Sequence, residues 1–121
     1  MSKESFLQNR WKGAVYAYKG LILLIRTERA IQFQLILASL VTIAGVYYGL
    51  SNLEWVLQTL AIALVLGIEG LNTAIEKLAD YIQPEHDPKI GFIKDISAGA
   101  VLFVAIAAVI AGLLIYIPKI F

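Results

Sequence analysis

An all-α membrane protein, with an N-terminal amphipathic surface helix followed by three transmembrane helices, is the fold class this sequence predicts. Composition points there first: 60 % of the 121 residues are hydrophobic and 16 % charged, with a mean hydropathy of +0.77. That is far more apolar than a compact soluble domain of this length. Second, the apolar residues gather into three runs, each long enough to cross a hydrocarbon core at roughly 20 residues per crossing. Third, the second run ends in GIEGLNTAIEKLAD, where Glu69, Asn72, Glu76 and Asp80 follow one another at helical steps. Spacings of i, i+3, i+7 and i+11 place all four on one stripe of a helix.

The elements follow in order. Over residues 5–27, Leu7, Trp11, Ala14, Val15, Tyr18, Ile22 and Ile25 recur at three- and four-residue steps, with Gln8, Lys12, Tyr16 and Lys19 on the other side. This pattern predicts an amphipathic helix with a basic face, suited to lie along a membrane surface. Residues 30–50 form the first span, with Gln32 and Gln34 near its start. A short polar turn at 51–54 leads into the second span, residues 53–81. The stretch 83–91, with two prolines, reads as a loop. Residues 96–117 form a third span without a charge, and 118–121 a short tail.

The same composition sets limits. The length allows one domain, residues 1–121. Without cysteine there is no disulfide, thiolate nucleophile or cysteine-based metal site. A net charge of +1 gives no ground for a nucleic-acid partner. The N-terminal region lacks a short apolar core with a small-residue cleavage site, so no removable signal peptide is expected. Of the ten Lys and Arg residues, six precede the first span, three (Lys77, Lys89 and Lys94) lie from the cytoplasmic end of the stripe to the third span, and only Lys119 falls on the opposite side. By the positive-inside rule the surface helix and the loop after the second span are cytoplasmic.

An ionisable side chain in a span is expensive and generally marks function. Counted from Leu53 at about 1.5 Å per residue, Glu69 lies roughly 24 Å along the second helix, just inside the cytoplasmic edge of a core about 30 Å thick. Glu76 lies about 10 Å further, at the interface. The stripe therefore joins a lipid-accessible zone to water, and suits a reaction between a membrane-dissolved and a water-soluble substrate. Glu28 before the first span, and Lys94 with Asp95 before the third, fall at the depth of Glu76 and Asp80. Converging carboxylates favour magnesium where substrate phosphates complete its coordination, and a lysine there neutralises phosphate charge. Lys12, Tyr16 and Lys19 are candidate contacts for an anionic ligand. No P-loop or glycine-rich nucleotide motif is present.

The segment E-G-L-N-T-A-I-E from Glu69 to Glu76, then Asp80, then Lys94-Asp95 with Ala98-Gly99-Ala100-Val101-Leu102, resembles the prokaryotic diacylglycerol kinase family. Tyr16-Ala17-Tyr18-Lys19-Gly20 and Glu28 fit the N-terminal pattern of that family, and the resemblance covers nearly the whole chain. It implies a homotrimer in the bacterial cytoplasmic (inner) membrane and ATP-Mg-dependent phosphorylation of a lipid hydroxyl. Carried over residue by residue, it makes Glu69 the general base and lets Asn72 orient that carboxylate or the transferring phosphoryl group. Glu28 and Glu76 would hold Mg2+, and Lys94 would balance phosphate charge. Asp80, Glu85 and Asp95 would arrange the nucleotide, and Ser97, Ala98 and Gly99 border the lipid. In the loop the sequence departs from the family pattern of Glu, any residue, His: Glu85 is followed at once by His86, with Asp87 in the usual place of the histidine.

Two classes of function are open at this point. The lipid kinase would act on undecaprenol or diacylglycerol, and the stretch from Pro88 through Ile93-Lys94-Asp95 to Ala98-Gly99-Ala100 leans to the undecaprenol branch. The alternative is a small oligomeric transporter or channel subunit with Glu69 as a proton or cation site. A transporter needs polar access from both sides near the midplane, whereas here the polar groups gather at the cytoplasmic end and the outer half of every span reads as apolar. Asp95, placed where the third helix was expected to begin, would equally suit the helix dipole.

Overall fold

A computed structural model describes residues 3–121. It contains four helices, α1 (Lys3–Thr27), α2 (Arg29–Tyr48), α3 (Asn52–Ile82) and α4 (Pro88–Ile120). The last three are long and apolar enough to cross a membrane.

Local chemistry explains each boundary. Only Glu28 interrupts the helical run between α1 and α2, with φ −101° and ψ 113°. Its side chain makes no capping hydrogen bond. Gln32, one turn into α2, caps α1 instead: its Nε2 donates to the carbonyls of Ile25 at 3.0 Å and Arg26 at 3.1 Å. Two carbonyls that the end of α1 would leave unpaired are thereby satisfied, and the angle between the helices is held. Helix α2 closes on Gly49, whose φ of 68° is the left-handed conformation that glycine adopts without a steric penalty. Ser51 then caps α3 in a capping box with Glu54. Helix α3 stops at Gln83, because the residue before Pro84 is forced away from the helical region.

Helix α4 begins at Pro88, earlier than the third span was expected to start. Asp87 is its cap, accepting from the N–H groups of Lys89 at 2.8 Å and Ile90 at 3.4 Å. Proline at the first helical position lacks only an N–H that would have no partner there, so the second proline of the stretch read as loop starts a helix. One expected role changes as a result. Asp95 stands two turns inside α4 and cannot serve the helix dipole at the N-terminus; Asp87 does. At the other end the expected tail is helical as far as Ile120, with Pro118 inside the last turn.

Helices α3 and α4 form the principal packing interface and run antiparallel. Lys94 pairs with Asp80 at one end, and Lys119 with Glu54 at 3.1 Å at the other. Helix α2 packs on α3 through Gly45, where an added Cβ would lie 2.7 Å from Trp55 Cη2 and 3.0 Å from Leu50 Cδ1. Gly45→Val is therefore expected to destabilise the protein by about 1–3 kcal/mol through overpacking. An unfolding titration of purified protein in mild detergent reads this, and an unchanged midpoint would show that the crossing can relax.

The α2–α3–α4 bundle also carries a polar lock at the end away from the 83–87 loop. The Tyr116 hydroxyl lies 2.6 Å from Gln58 Oε1 and 3.0 Å from the Val41 carbonyl, and Gln58 Nε2 donates to the same carbonyl at 3.4 Å. The reading of every outer half-span as apolar is corrected here. Gln58 is buried at 5 % exposure and internally paired, so it acts as interhelical glue.

Helix α1 packs on the bundle chiefly through its C-terminal end. Leu24, outside the apolar stripe read from the sequence, sits against Gly70, where an added Cβ would meet it at 3.1 Å. Leu7, Trp11 and Tyr18 of that stripe are exposed, as are Lys12, Tyr16 and Lys19 on the other side. The two faces are therefore not separated by burial within this chain.

Candidate active site

The stripe on α3 grades from buried to exposed. Glu69 and Asn72 are each 8 % exposed, while Glu76 and Asp80 are open. Glu28, at the head of α2, pairs with Lys77 at 3.4 Å. Glu69, eight residues before Lys77, is about 12 Å deeper along the helix. The general-base candidate thus lies within the apolar part of the bundle, and the charged candidates lie above it.

Each member of the stripe has a partner on another turn or helix. Across the α2–α3 crossing, Gln34 Nε2 donates to Glu69 Oε2 at 3.4 Å. Asn72 Nδ2 donates to Glu76 Oε1 at 3.1 Å, one turn along α3. Of the two roles expected of Asn72, orienting Glu69 or orienting the transferring phosphoryl group, the hydrogen bonds do not carry the first: its amide steadies Glu76, and Gln34 attends Glu69. With Nδ2 committed to a carboxylate, Asn72 Oδ1 is left buried without a partner, and Gln34 Oε1 shares that condition. Such groups are uncommon in native interiors and call for an explanation.

Lys94 and Asp80 are brought together as an ion pair across the α3–α4 interface, both partly solvated. Ser97, on the following turn of α4, is buried, whereas Ala98 and Gly99 face outward. A third of a turn separates consecutive residues, so these three cannot share one surface. Glu85 and His86 are exposed in the loop between α3 and α4, and Asp95 is exposed on α4. On α1, Lys19 lies over the Tyr16 ring at 6.0 Å. Among the described residues no hydrogen bond or ion pair joins Lys12, Tyr16 or Lys19 to the stripe. Among the described residues no three carboxylates or histidines converge as a ready-made metal cage.

Sequence reasoning passed over Gln34 and Lys77 as site residues. Gln34 was visible as an amide inside an apolar run, a position where a polar group seeks a partner. Lys77 adjoins Glu76, but its pairing with Glu28 depends on the α1–α2 junction, which spacing along one helix does not reveal.

A buried carboxylate under a layer of acidic and basic groups, at the mouth of a membrane bundle, is a feature of many membrane proteins; comparison with known families narrows it. The family model described as prokaryotic diacylglycerol kinase matches residues 15–116. The chain belongs to the prokaryotic diacylglycerol kinase family. It is a lipid kinase. Among its relatives, the undecaprenol kinase of Bacillus subtilis is 41 % identical over 113 residues, 93 % of this chain and 92 % of that one. A diacylglycerol kinase of Escherichia coli is 32 % identical over 99 residues, 82 % and 81 % of the two chains. A diacylglycerol kinase of Synechocystis is 30 % identical over 125 residues, covering 97 % of this chain and 71 % of the relative. In a lipid kinase the depth of Glu69 has a ready use, because the acceptor hydroxyl arrives from the membrane and the phosphoryl donor from water.

Proposed function

We propose that this lipid kinase transfers the γ-phosphoryl group of ATP to the primary hydroxyl of undecaprenol, with diacylglycerol as the lesser substrate. The observation that carries the reading is the position of Glu69: a carboxylate buried in the bundle about 12 Å below the Glu28–Lys77 pair, beneath the exposed Glu76, Asp80 and Lys94. Undecaprenol is favoured by the relative at 41 % identity, which bears that substrate in its name, over the diacylglycerol kinases at 32 % and 30 %.

In the proposed step Glu69 accepts the hydroxyl proton as the lipid oxygen attacks the γ-phosphorus in line. The new O–P bond forms while the bond to the β-bridging oxygen breaks, and ADP leaves with that electron pair. Such a transfer needs positioning and charge neutralisation and no covalent enzyme intermediate. Lys94, held by Asp80, is placed to meet phosphate oxygens from the aqueous side. Asp95, Glu85 and the Lys12, Tyr16 and Lys19 face of α1 are assigned to the nucleotide, and the exposed Ala98 and Gly99, without the buried Ser97, to the lipid headgroup.

The residues present suit magnesium. The ion is usually bound through one or two carboxylates plus substrate phosphates, and Glu28 and Glu76 would hold it. Asn72 steadies the Glu76 carboxylate and keeps an unpartnered oxygen beside it. When bound, the ion supplies neutralisation of the phosphate charge that develops during transfer.

The family resemblance also supports a homotrimer in the bacterial inner membrane with its active site cytoplasmic. The amphipathic reading of α1 belongs with that arrangement, its basic face toward water and its apolar face on the membrane surface.

The reading is tested with labelled ATP and purified protein in lipid or detergent, offering undecaprenol and diacylglycerol separately. Label is expected on both, with undecaprenol the faster substrate. No label on either lipid from folded protein with magnesium would overturn the reading.

A further inference from the structure

Three carboxylates at the mouth of the bundle each have a resident partner. Asp80 pairs with Lys94, Glu76 accepts from Asn72 Nδ2, and Glu28 pairs with Lys77 at 3.4 Å. Lys94 is placed to meet phosphate and Asn72 steadies a metal ligand. Lys77 has no part in that chemistry, yet its ammonium lies on the other carboxylate assigned to magnesium.

Glu28 is free to make this contact because of where it stands. It occupies the N-cap of α2 in an extended conformation, and its side chain makes no capping hydrogen bond. The carboxylate turns instead to α3. The junction that carries it is held independently of the ion pair, by Gln32 Nε2 on the carbonyls of Ile25 and Arg26. On α3, Lys77 directly follows Glu76, so its contact brings Glu28 beside the turn that carries Glu76. The amide serving Glu76 keeps a buried oxygen without a partner, and the chain alone therefore leaves this place incomplete.

The two partners are unequally exposed, 71 % for the Lys77 side chain and 25 % for that of Glu28. The carboxylate is the anchored member and the ammonium the mobile one. A lysine ammonium is a compact charge on a flexible stem, and from so exposed a position it returns to water at little cost. A divalent ion on Glu28 would stand within a few ångströms of that ammonium, where like charges repel. The two cations compete for one carboxylate.

We propose that Lys77 is the resident counter-cation of the metal site: its ammonium neutralises Glu28 before a metal binds and yields the carboxylate to the divalent ion, so that Lys77 limits how tightly the metal-bearing nucleotide is held. This rests on the assignment of Glu28 and Glu76 to magnesium and adds to it a competitor built into the chain. Lys77 is a positioning residue here, keeping Glu28 against α3 until the ion arrives and reclaiming it when the ion leaves with ADP.

The test is equilibrium dialysis of purified protein in lipid or detergent against the Mn2+ complex of a non-hydrolysable ATP analogue, with the metal-free analogue alongside. Lys77→Met removes the charge and keeps most of the stem. It is expected to lower the Kd of the Mn2+ complex about 5-fold at low ionic strength, the scale of a partly solvated ion pair, and by less in high salt, where exposed charges are screened. The metal-free analogue should gain nothing. KM for MgATP should fall in parallel, with kcat within a few-fold of wild type. Lys77→Arg, which keeps the charge, should match wild type. In a Glu28→Gln background, Lys77→Met should bring no further gain, because the carboxylate under competition is gone.

An unchanged Kd for the Mn2+ complex in Lys77→Met would overturn the proposal. A raised Kd would overturn it in favour of Lys77 as a phosphate contact. An equal gain in the Glu28→Gln background would overturn it as well, since the effect would then be general charge and not competition for Glu28. A wild-type protein that holds the metal-free analogue as tightly as the Mn2+ complex would instead sink the magnesium assignment, and this proposal with it.

Discussion

Glu69→Gln is expected to lower phosphoryl transfer to the lipid alcohol by about 10²–10⁴-fold, the usual range for removing a positioned general base. The substitution keeps the shape of the side chain and one oxygen for Gln34 Nε2, so the helix crossing should survive. Loss of the proton acceptor is then separated from loss of fold. The depth of the residue strengthens the expectation. With Glu69 at 8 % exposure, bulk water reaches the position poorly and cannot stand in as the base. Neither Glu76 nor Asp80 can substitute, since they lie two and three turns further along α3, roughly 10 and 16 Å away. Label transfer to undecaprenol, measured beside nucleotide binding and thermal unfolding, distinguishes the outcomes. Activity within a few-fold of wild type would remove Glu69 from the role of base.

Lys94→Met is expected to cost about 10²–10³ in kcat, comparable to losing one positioned charge-stabilising donor. The Lys94–Asp80 pair is partly solvated on both sides, and such pairs contribute roughly 0–1 kcal/mol to stability. The unfolding midpoint should therefore barely move while turnover collapses, a combination that a purely structural ion pair would not produce. Asp80→Asn supplies the contrast. It leaves the ammonium in place but less firmly held, so the loss should be smaller and weighted toward KM for ATP. An equal fall in both variants, with a matching drop in unfolding midpoint, would assign the pair to packing.

Much of this protein was legible along the chain because membrane helices report themselves locally. A run of apolar residues must satisfy its backbone internally, and a helix does so; three such runs meant three helices whatever their packing. The column at Glu69, Asn72, Glu76 and Asp80 followed from helical periodicity within one element. The boundaries of α4 were misread because the prolines at 84 and 88 have opposite effects. Pro84 ends α3, whereas Pro88, preceded by the Asp87 cap, begins α4.

The sequence by itself determined the helices, the polar stripe and the asymmetry of basic residues, since each depends on composition or on spacing inside one element. Tertiary structure alone decided which side chains meet. It put Gln34 rather than Asn72 on Glu69, Lys77 on Glu28, and Tyr116 on Gln58 across two helices. These pairings join residues 35, 49 and 58 positions apart, respectively. They rest on helix crossings that small residues such as Gly45 and Gly70 permit. Such a crossing turns on a clearance of a few tenths of an ångström between particular side chains, and no periodicity in the chain encodes that.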